Sequence, residues 1–352
     1  MKKLAITQWG EPLQLLEAET PAPQGREVLV KTQACGVCHS DVHVWDGYFD
    51  MGAKGKMRMA DRGMKLPFTL GHEIVATVAA LGPEASGATI GQSYIVYPWI
   101  GCGTCTACRA DNELMCVNAR SLGLRCDGGY ADHVVVPDAK YLVPYDGLSR
   151  DVACTYACSG ITAYSALKKV QPRLDSDWIC IIGCGGLGIG AIRISKAISS
   201  ARILAIDVSD ARLDLAKAAG ADMVVNSSAA DVLSQIQEIT GGGAHATIDF
   251  VGSGETFSLA VDTARRGGQI VIVGLFGGST TIAPLAITTK LLRIEGSYVG
   301  TLQDLKDLVA LAQTGKLPPI ATVALPYERA SEALNALKQG KGGEGRAVLQ
   351  FN

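Results

Sequence analysis

Short apolar runs bounded by Gly and Pro fill the first part of the chain, and from residue 178 the pattern changes to apolar runs alternating with helical spacing. Residues 4 to 35 hold L-A-I-T and E-V-L-V-K-T-Q-A-C, with the turn sequence P-A-P-Q-G between them, and read as short strands. Residues 46 to 68 are rich in Gly and Met and show no periodicity, so they read as a long surface loop. Loops of that length in compact domains often act as lids or binding segments. T-L-G-H-E-I-V-A-T-V-A-A-L-G then enters an apolar strand, and residues 128 to 137 form another that ends at Pro137. From Asp151, read as an N-cap, to Lys169 the spacing is helical.

After residue 178 each strand is followed by a helix. W-I-C-I-I (178 to 182) leads into G183-C-G185-G186-L-G188 and the helix I-G-A-I-R-I-S-K-A-I, and R-I-L-A-I-D (202 to 207) is the second strand. The alternation continues through A-D-M-V-V-N, A-T-I-D-F-V, a helix ending near Arg266, Q-I-V-I-V-G and L-L-R-I-E-G-S-Y-V-G. About six strands result, as in a full doubly wound parallel sheet. Amphipathic helices over 301 to 315 and 327 to 339 and a final strand G-R-A-V-L-Q-F close the chain. A glycine motif of this form is weak evidence alone. Here it leaves a strand, opens a helix and is followed by Asp207 at the end of the next strand. The glycines allow a tight turn and close approach of a pyrophosphate to the helix N-terminus, while Asp207 can accept the ribose hydroxyls. A carboxylate there repels a 2′-phosphate, so NAD is expected rather than NADP.

The 352 residues suffice for two domains, and 48% apolar with 19% charged residues is a globular composition. A net charge of -2 gives no electrostatic footprint for nucleic acid or an anionic membrane. The N-terminus has no apolar run of signal-peptide length, and no stretch approaches the ~20 apolar residues of a membrane span. Eleven cysteines in that setting point to a reducing compartment, so a cytoplasmic protein is expected.

Several residues serve chemistry better than packing. The stretch A-C-G-V-C-H-S-D-V-H gathers Cys38, His39, Ser40, Asp41 and His43 at the end of a strand, and His72 with Glu73 sits where a turn enters one. Cys102, Cys105, Cys108 and Cys116 follow with spacing that lets four thiolates surround a tetrahedral zinc. A reducible disulfide pair or an iron–sulfur cluster is the competing use of such spacing. Zinc here would fasten a loop with little core of its own and would carry no chemistry. Cys35, Cys126, Cys154, Cys180 and Cys184 read as buried thiols, and Cys184, inside the glycine turn, is a candidate for alkylation that blocks NAD.

With C38-H-S-D-V-H43, G71-H72-E73, the four-cysteine loop, Cys158 and G183-C-G-G-L-G188 in this order, the chain resembles the zinc-dependent medium-chain alcohol dehydrogenases from about residue 4 to 350. The Met-rich segment, A-D-R-G and P-W-I-G-C-G are similar to the bacterial branch that includes 6-hydroxyhexanoate dehydrogenase. The resemblance implies an α/β protein: a GroES-like, mainly β catalytic domain over 1–158 and 299–352, and a Rossmann NAD domain over 159–298. The active site would lie in the cleft between them, and the assembly would be a homotetramer or, alternatively, a homodimer.

The resemblance further implies two Zn2+ per chain, a structural one on the four clustered cysteines and a catalytic one on Cys38, His72 and Cys158. Glu73 would lie behind the catalytic metal, Asp41 would orient His72, and the proton would leave through Ser40, the cofactor ribose and His43. NAD would be held by His39 and Arg346 at the pyrophosphate and by Thr162, Val273, Ser297 and Val299 beside the nicotinamide. Gly183, Gly185, Gly186, Leu187, Gly188, Asp207, Arg212, Val251 and Leu275 complete its expected contacts. Phe49 and Trp99 are the expected substrate-pocket wall, suited to medium-chain, ω-hydroxy or aromatic primary alcohols and their aldehydes. A polyol or secondary-alcohol dehydrogenase, and a zinc- and NAD-binding redox sensor without catalysis, are the competing readings. An open metal position beside Ser40 and His43 argues against the sensor.

Overall fold

A computed structural model describes residues 1–170, 177–341 and 345–351. The chain divides into two compact units: Met1–Tyr48, Arg58–Ile161 and Gly300–Asn352 make the first, and Phe49–Met57 with Thr162–Val299 the second. The expected division at 158/159 and 298/299 therefore shifts by three residues and by one. The excursion Phe49–Met57, which the sequence reading left in the first domain, groups with the second.

The first unit is built on a mainly antiparallel sheet. Its strands run in the order Leu142–Val143, Ser93–Val96, Glu73–Leu81, Val28–Gly36, Arg346–Gln350 and Thr322–Pro326, with His133–Val136 also paired to Val28–Gly36. A small sheet of Gln14–Glu17, Lys2–Ile6 and Phe68–Thr69 accompanies it. The central strand is apolar on both faces, Val28, Val30, Ala34 and Cys35 being fully buried. Its register fixes what lies beyond its end. Gly36 stands opposite Glu73 on one side and Val348 on the other. His72, Cys38 and Arg346 therefore all emerge at the same end of the sheet. Gly36 has to be glycine, because an added Cβ would run into the Glu73 carboxylate.

The second unit is a six-stranded sheet in the order Met223–Asn226, Arg202–Asp207, Trp178–Ile182, Ala244–Asp249, Ala264–Ile272 and Arg293–Gly296, every pair parallel. In chain order that is 3-2-1-4-5-6, the doubly wound dinucleotide arrangement. Its central strands are buried end to end (Ile179, Cys180, Ile181, Ile203, Leu204, Ala205), as a sheet covered on both faces requires.

Several local expectations are revised. The helix after residue 149 is capped by the Ser149 hydroxyl, which accepts from Val152 N, so Asp151 is a first-turn residue and not the N-cap. It runs Arg150–Thr155, passes through a π-helical turn Tyr156–Gly160 and resumes as Ile161–Lys169. Residues 46 to 68 are not a featureless loop: Tyr48–Asp50 pairs with Lys56–Arg58, with 3-10 turns at Gly52–Lys54 and Ala60–Arg62. The strand begins at His133 instead of Gly128, and the helix expected to reach Arg266 ends at Thr263. Among the described residues no helix is long and apolar enough to cross a membrane.

Candidate active site and metal centres

Three segments bring Cys38, His72 and Cys158 together in the first unit, with their ligand atoms all within 4.8 Å of one another and all three side chains buried. Cys38 ends the extended chain after Gly36 and opens the helix His39–Asp46. His72 precedes the neighbouring strand, and Cys158 sits in the π-helical turn. Cys38 Sγ lies 3.9 Å from Cys158 Sγ. Two thiolates on one tetrahedral zinc, each at ~2.3 Å, would be about 3.8 Å apart, so the sulfurs already stand at the edge length of such a site.

Charge in this centre is organised around the ligands. Asp41 is fully buried; its carboxylate accepts from Cys38 N at 2.9 Å and Gly71 N at 3.3 Å, and lies 3.1 Å from His72 Nδ1. His72 Nε2 is buried without a hydrogen-bond partner, an orphaned atom that an ion would satisfy. Contact with the Cys158 thiol, and with His72, holds Cys38 well below its ordinary thiol range despite burial. The same contact and burial push Cys158 well above it. Burial works against a charge on His72, but Asp41 and Cys38 outweigh it and raise its pKa. A cation held here would bind the two sulfurs as thiolates and the imidazole in its neutral form, releasing any protons that those groups carry.

Behind the ligands, Glu73 accepts from Ser159 N at 3.2 Å and is ion-paired to the Arg346 guanidinium. Burial raises the Glu73 pKa, and Arg346 draws it back. Arg346, expected at the pyrophosphate, is thus committed to Glu73 in this structure. Ser40 and His43 follow Cys38 on the same short helix, both partly exposed, while His39 is exposed. Burial, and then His39, lower the His43 pKa. Trp99 packs edge-on against His72, with ring centroids 5.5 Å apart, and is 3% exposed. Phe49, its expected companion in a pocket wall, belongs to the second unit.

The four clustered cysteines also converge, their sulfurs lying within 4.8 Å of one another. Cys105 and Cys108 are 3.5 Å apart, Cys102 N donates to Cys116 Sγ at 3.3 Å, and none is in a disulfide. The Cys102 thiol is brought down to about 5, chiefly by the Thr104 hydroxyl. Four sulfurs at these separations suit a closed tetrahedral site. The lobe is tied to its unit by Glu113, a residue that no motif marks. Its carboxylate accepts from Gly101 N at 2.7 Å, Lys140 Nζ at 2.6 Å and Tyr141 Oη at 2.7 Å.

Burial raises the Glu113 pKa, but Lys140, Gly101 N and Tyr141 outweigh it and leave the net shift downward. A lowered folded pKa means stability that is present above the unfolded value of about 4.3 and is lost as pH falls through the folded value. Glu113→Gln should therefore cost about 1–3 kcal/mol near pH 7, with the difference from wild type closing below about pH 4. Melting temperatures of both proteins between pH 3 and 8 check this; a constant difference across that range would refute the charge argument.

In the second unit a cavity of about 500 Å³ opens at the carboxyl ends of the parallel strands, lined in part by Gly183, Asp207, Arg212, Val251, Thr256 and Phe276. Gly183 has φ +89, a left-handed conformation suited to glycine, and the helix Gly186–Ile198 starts from Gly185 as N-cap. Gly188 must be glycine because a Cβ would collide with the Gly183 carbonyl. Asp207 is nearly buried and accepts from Cys184 N at 2.7 Å and Ser209 N at 3.0 Å, with Arg212 at 4.0 Å. Of the other expected cofactor residues, Gly185, Gly186, Leu187 and Gly188 form the turn and first helical residues. Thr162, Val273, Ser297 and Val299 are buried away from this lining, and Leu275 is half-exposed.

Asp249, unremarked in the sequence, shapes the cavity wall. It is fully buried and accepts from Val251 N and Gly252 N, both at 2.9 Å, and from Thr256 Oγ1 at 2.8 Å. Cys184 is 1% exposed and its thiol is pushed up to about 12 by burial, so it is a poor target for alkylation. Cys126 is the one of the five role-less cysteines that is partly exposed.

A parallel dinucleotide sheet, an antiparallel unit with a buried two-thiol, one-imidazole centre, and a separate four-thiol lobe define a zinc-type dehydrogenase architecture. Residues 24–147 match the alcohol dehydrogenase GroES-like domain and residues 186–314 the zinc-binding dehydrogenase family. The chain belongs to the zinc-dependent medium-chain alcohol dehydrogenase family. It is 41% identical to an NAD-dependent alcohol dehydrogenase of Sulfurisphaera tokodaii over 99% of both chains, and 36% identical to an alcohol dehydrogenase of Geobacillus stearothermophilus over the full length of both. The crystal structure of the alcohol dehydrogenase of Aeropyrum pernix superposes with a TM-score of 0.86 at 32% identity, covering both chains completely.

Proposed function

We propose that this chain interconverts a primary alcohol (medium-chain, ω-hydroxy or aromatic) and its aldehyde, with NAD as the hydride carrier and two zinc ions per chain. The observation that carries the reading is the buried Cys38–His72–Cys158 triangle, which offers three ligands and leaves a coordination position for a substrate oxygen. Zinc there would supply Lewis-acid polarisation of the alcohol oxygen, with NAD+ accepting the hydride. Asp41 faces His72 Nδ1 and so turns the other ring nitrogen toward the thiols. Glu73, tied to Ser159 N and Arg346, steadies the turn that carries Cys158. Ser40 and His43 would pass the alcohol proton to solvent, His43 being available as an acceptor because its lowered pKa keeps it neutral near pH 7. In the second unit, Asp207 would take the adenosine ribose and disfavour a 2′-phosphate, with Arg212 and Val251 beside it.

A homotetramer, with a homodimer as the alternative, is supported by apolar side chains left in solvent around the edge strand Arg293–Gly296. Leu285 is 69% exposed and Leu291 58%. Eleven free thiols support a cytoplasmic setting.

The test is NADH formation by the zinc-loaded protein across straight-chain alcohols, ω-hydroxy acids, benzylic alcohols, secondary alcohols and polyols. A clear optimum among primary medium-chain or ω-hydroxy substrates is expected. An optimum among secondary alcohols or polyols would transfer the reading to that substrate class. Negligible rates throughout, with both zincs present, would sink the catalytic reading.

A further inference from the structure

We infer that Trp99 is a positioning residue for the catalytic metal, acting through its indole N–H on the backbone that carries Cys158 and through its ring on His72. The inference rests on the zinc reading of the Cys38–His72–Cys158 triangle.

The register of the sheet brings Trp99 to this place. Ile74 stands opposite Val96 in an antiparallel pair, so the chain leaving Val96 runs alongside the chain entering at His72. Pro98 O is held there by Ile100 N and Leu122 N, both at 3.0 Å. The Trp99 ring then meets the His72 ring edge-on at 61°, and Nε1 donates to Ala157 O at 2.9 Å.

What makes this bond informative is the turn it reaches. In a regular helix the N–H of Ile161 would go to the carbonyl four residues back, Ala157. In the π-helical turn it goes instead to Tyr156 O and Cys158 O, passing over Ala157 O. Trp99 supplies a donor to the carbonyl that the Ile161 N–H passes over. On the other side of Cys158, Glu73 takes the N–H of Ser159. The backbone on either side of Cys158 is thus held by two side-chain contacts, one from the residue after His72 and one from the residue edge-on to His72. A π-turn satisfied in this way presents Cys158 to Cys38 at 3.9 Å. Partners beyond the ligands commonly set metal retention.

The experiment is Trp99→Phe, which keeps an aromatic ring beside His72 and removes the donor. Zinc release from the purified holoenzyme to a chromophoric chelator is followed at fixed pH, together with zinc content and melting temperature. We expect two zincs per chain as prepared, with release from the catalytic site about 10- to 100-fold faster than in wild type and release from the four-cysteine lobe unchanged. Unchanged release from both sites would overturn the inference. So would a shift in alcohol-size preference with unaltered zinc retention, the signature of a pocket wall alone. Equal acceleration at both sites would mean general destabilisation and would overturn it as well. A wild-type chain that takes up only the four-cysteine zinc would overturn the zinc reading itself. Trp99→Met, which fills the space without a donor, replaces the Phe variant if that protein does not fold.

Discussion

Alcohol oxidation by Cys38→Ala or His72→Ala should fall by at least roughly a thousandfold, since Lewis-acid stabilisation of developing charge contributes several kcal/mol and each ~1.4 kcal/mol is tenfold in rate. NADH binding should stay within a few-fold of wild type, because the cavity at Asp207 and the glycine turn belong to the second unit. Steady-state rates, NADH fluorescence titration and zinc analysis on the same preparations check the two halves together. Both substitutions also leave buried partners behind. Removing Cys38 takes a buried sulfur partner from His72, and removing His72 leaves Asp41 and Cys38 without the ring that stands beside both. Some loss of stability is therefore expected, and it should be smaller for Cys38→Ser than for Cys38→Ala while activity is equally lost. Retention of more than a few per cent of activity in either Ala variant would remove the residue from the catalytic centre.

Cys105→Ala should act on stability instead of chemistry. The segment Cys102–Cys116 has only a four-residue helix and one 3-10 turn, and Met115 and Val117 are exposed, so little apolar burial holds it. A site with one thiolate removed should forfeit several kcal/mol of metal-linked folding free energy, roughly 10 °C in melting temperature for a unit of this size. The protein should contain one zinc per chain, be cleaved by protease within 102–116, and keep kcat within a few-fold of wild type in the molecules that stay folded. A Cys105→Ala protein as stable as wild type with two zincs per chain would reverse the assignment. Loss of kcat equal to that of Cys38→Ala would do the same.

The parallel sheet was the most legible part of the chain. Its strands are short apolar runs separated by helices, so Trp178–Ile182 and Arg202–Asp207 fall where the pattern places them. The four thiols at close spacing pointed to a metal by themselves, whereas Cys38, His72 and Cys158 were grouped only through the family resemblance; the fold brings each set within reach of one ion. What escaped the sequence depends on contacts between distant residues. The π-helical turn looks like any helical stretch, because a bypassed carbonyl leaves no mark on composition. Glu113 and Asp249 carry no motif, and only the fold supplies the donors that single them out. Arg346 could be matched to a phosphate contact from its place in the chain, yet only register reveals that it meets Glu73. The hairpin Tyr48–Asp50 with Lys56–Arg58 was hidden because three-residue strands lack enough positions to show alternation.

The two metal centres differ in how much of the polypeptide each requires. Every ligand of the four-cysteine lobe lies between residues 102 and 116, so the lobe can close around its ion soon after that stretch leaves the ribosome. The other centre draws on residues 38, 72 and 158, and its Glu73 is paired with Arg346 on a strand far along the chain from all three. That strand, Arg346–Gln350, pairs beside Val28–Gly36, closing a loop of more than three hundred residues. Such long-range closure is slow and comes late in folding. The four-cysteine lobe needs nothing beyond residue 116, so it is expected to take up its ion first during synthesis. The reactive ion can be seated in its finished surroundings only after Arg346–Gln350 has joined the sheet, so a chain that has not reached that strand carries no completed catalytic centre.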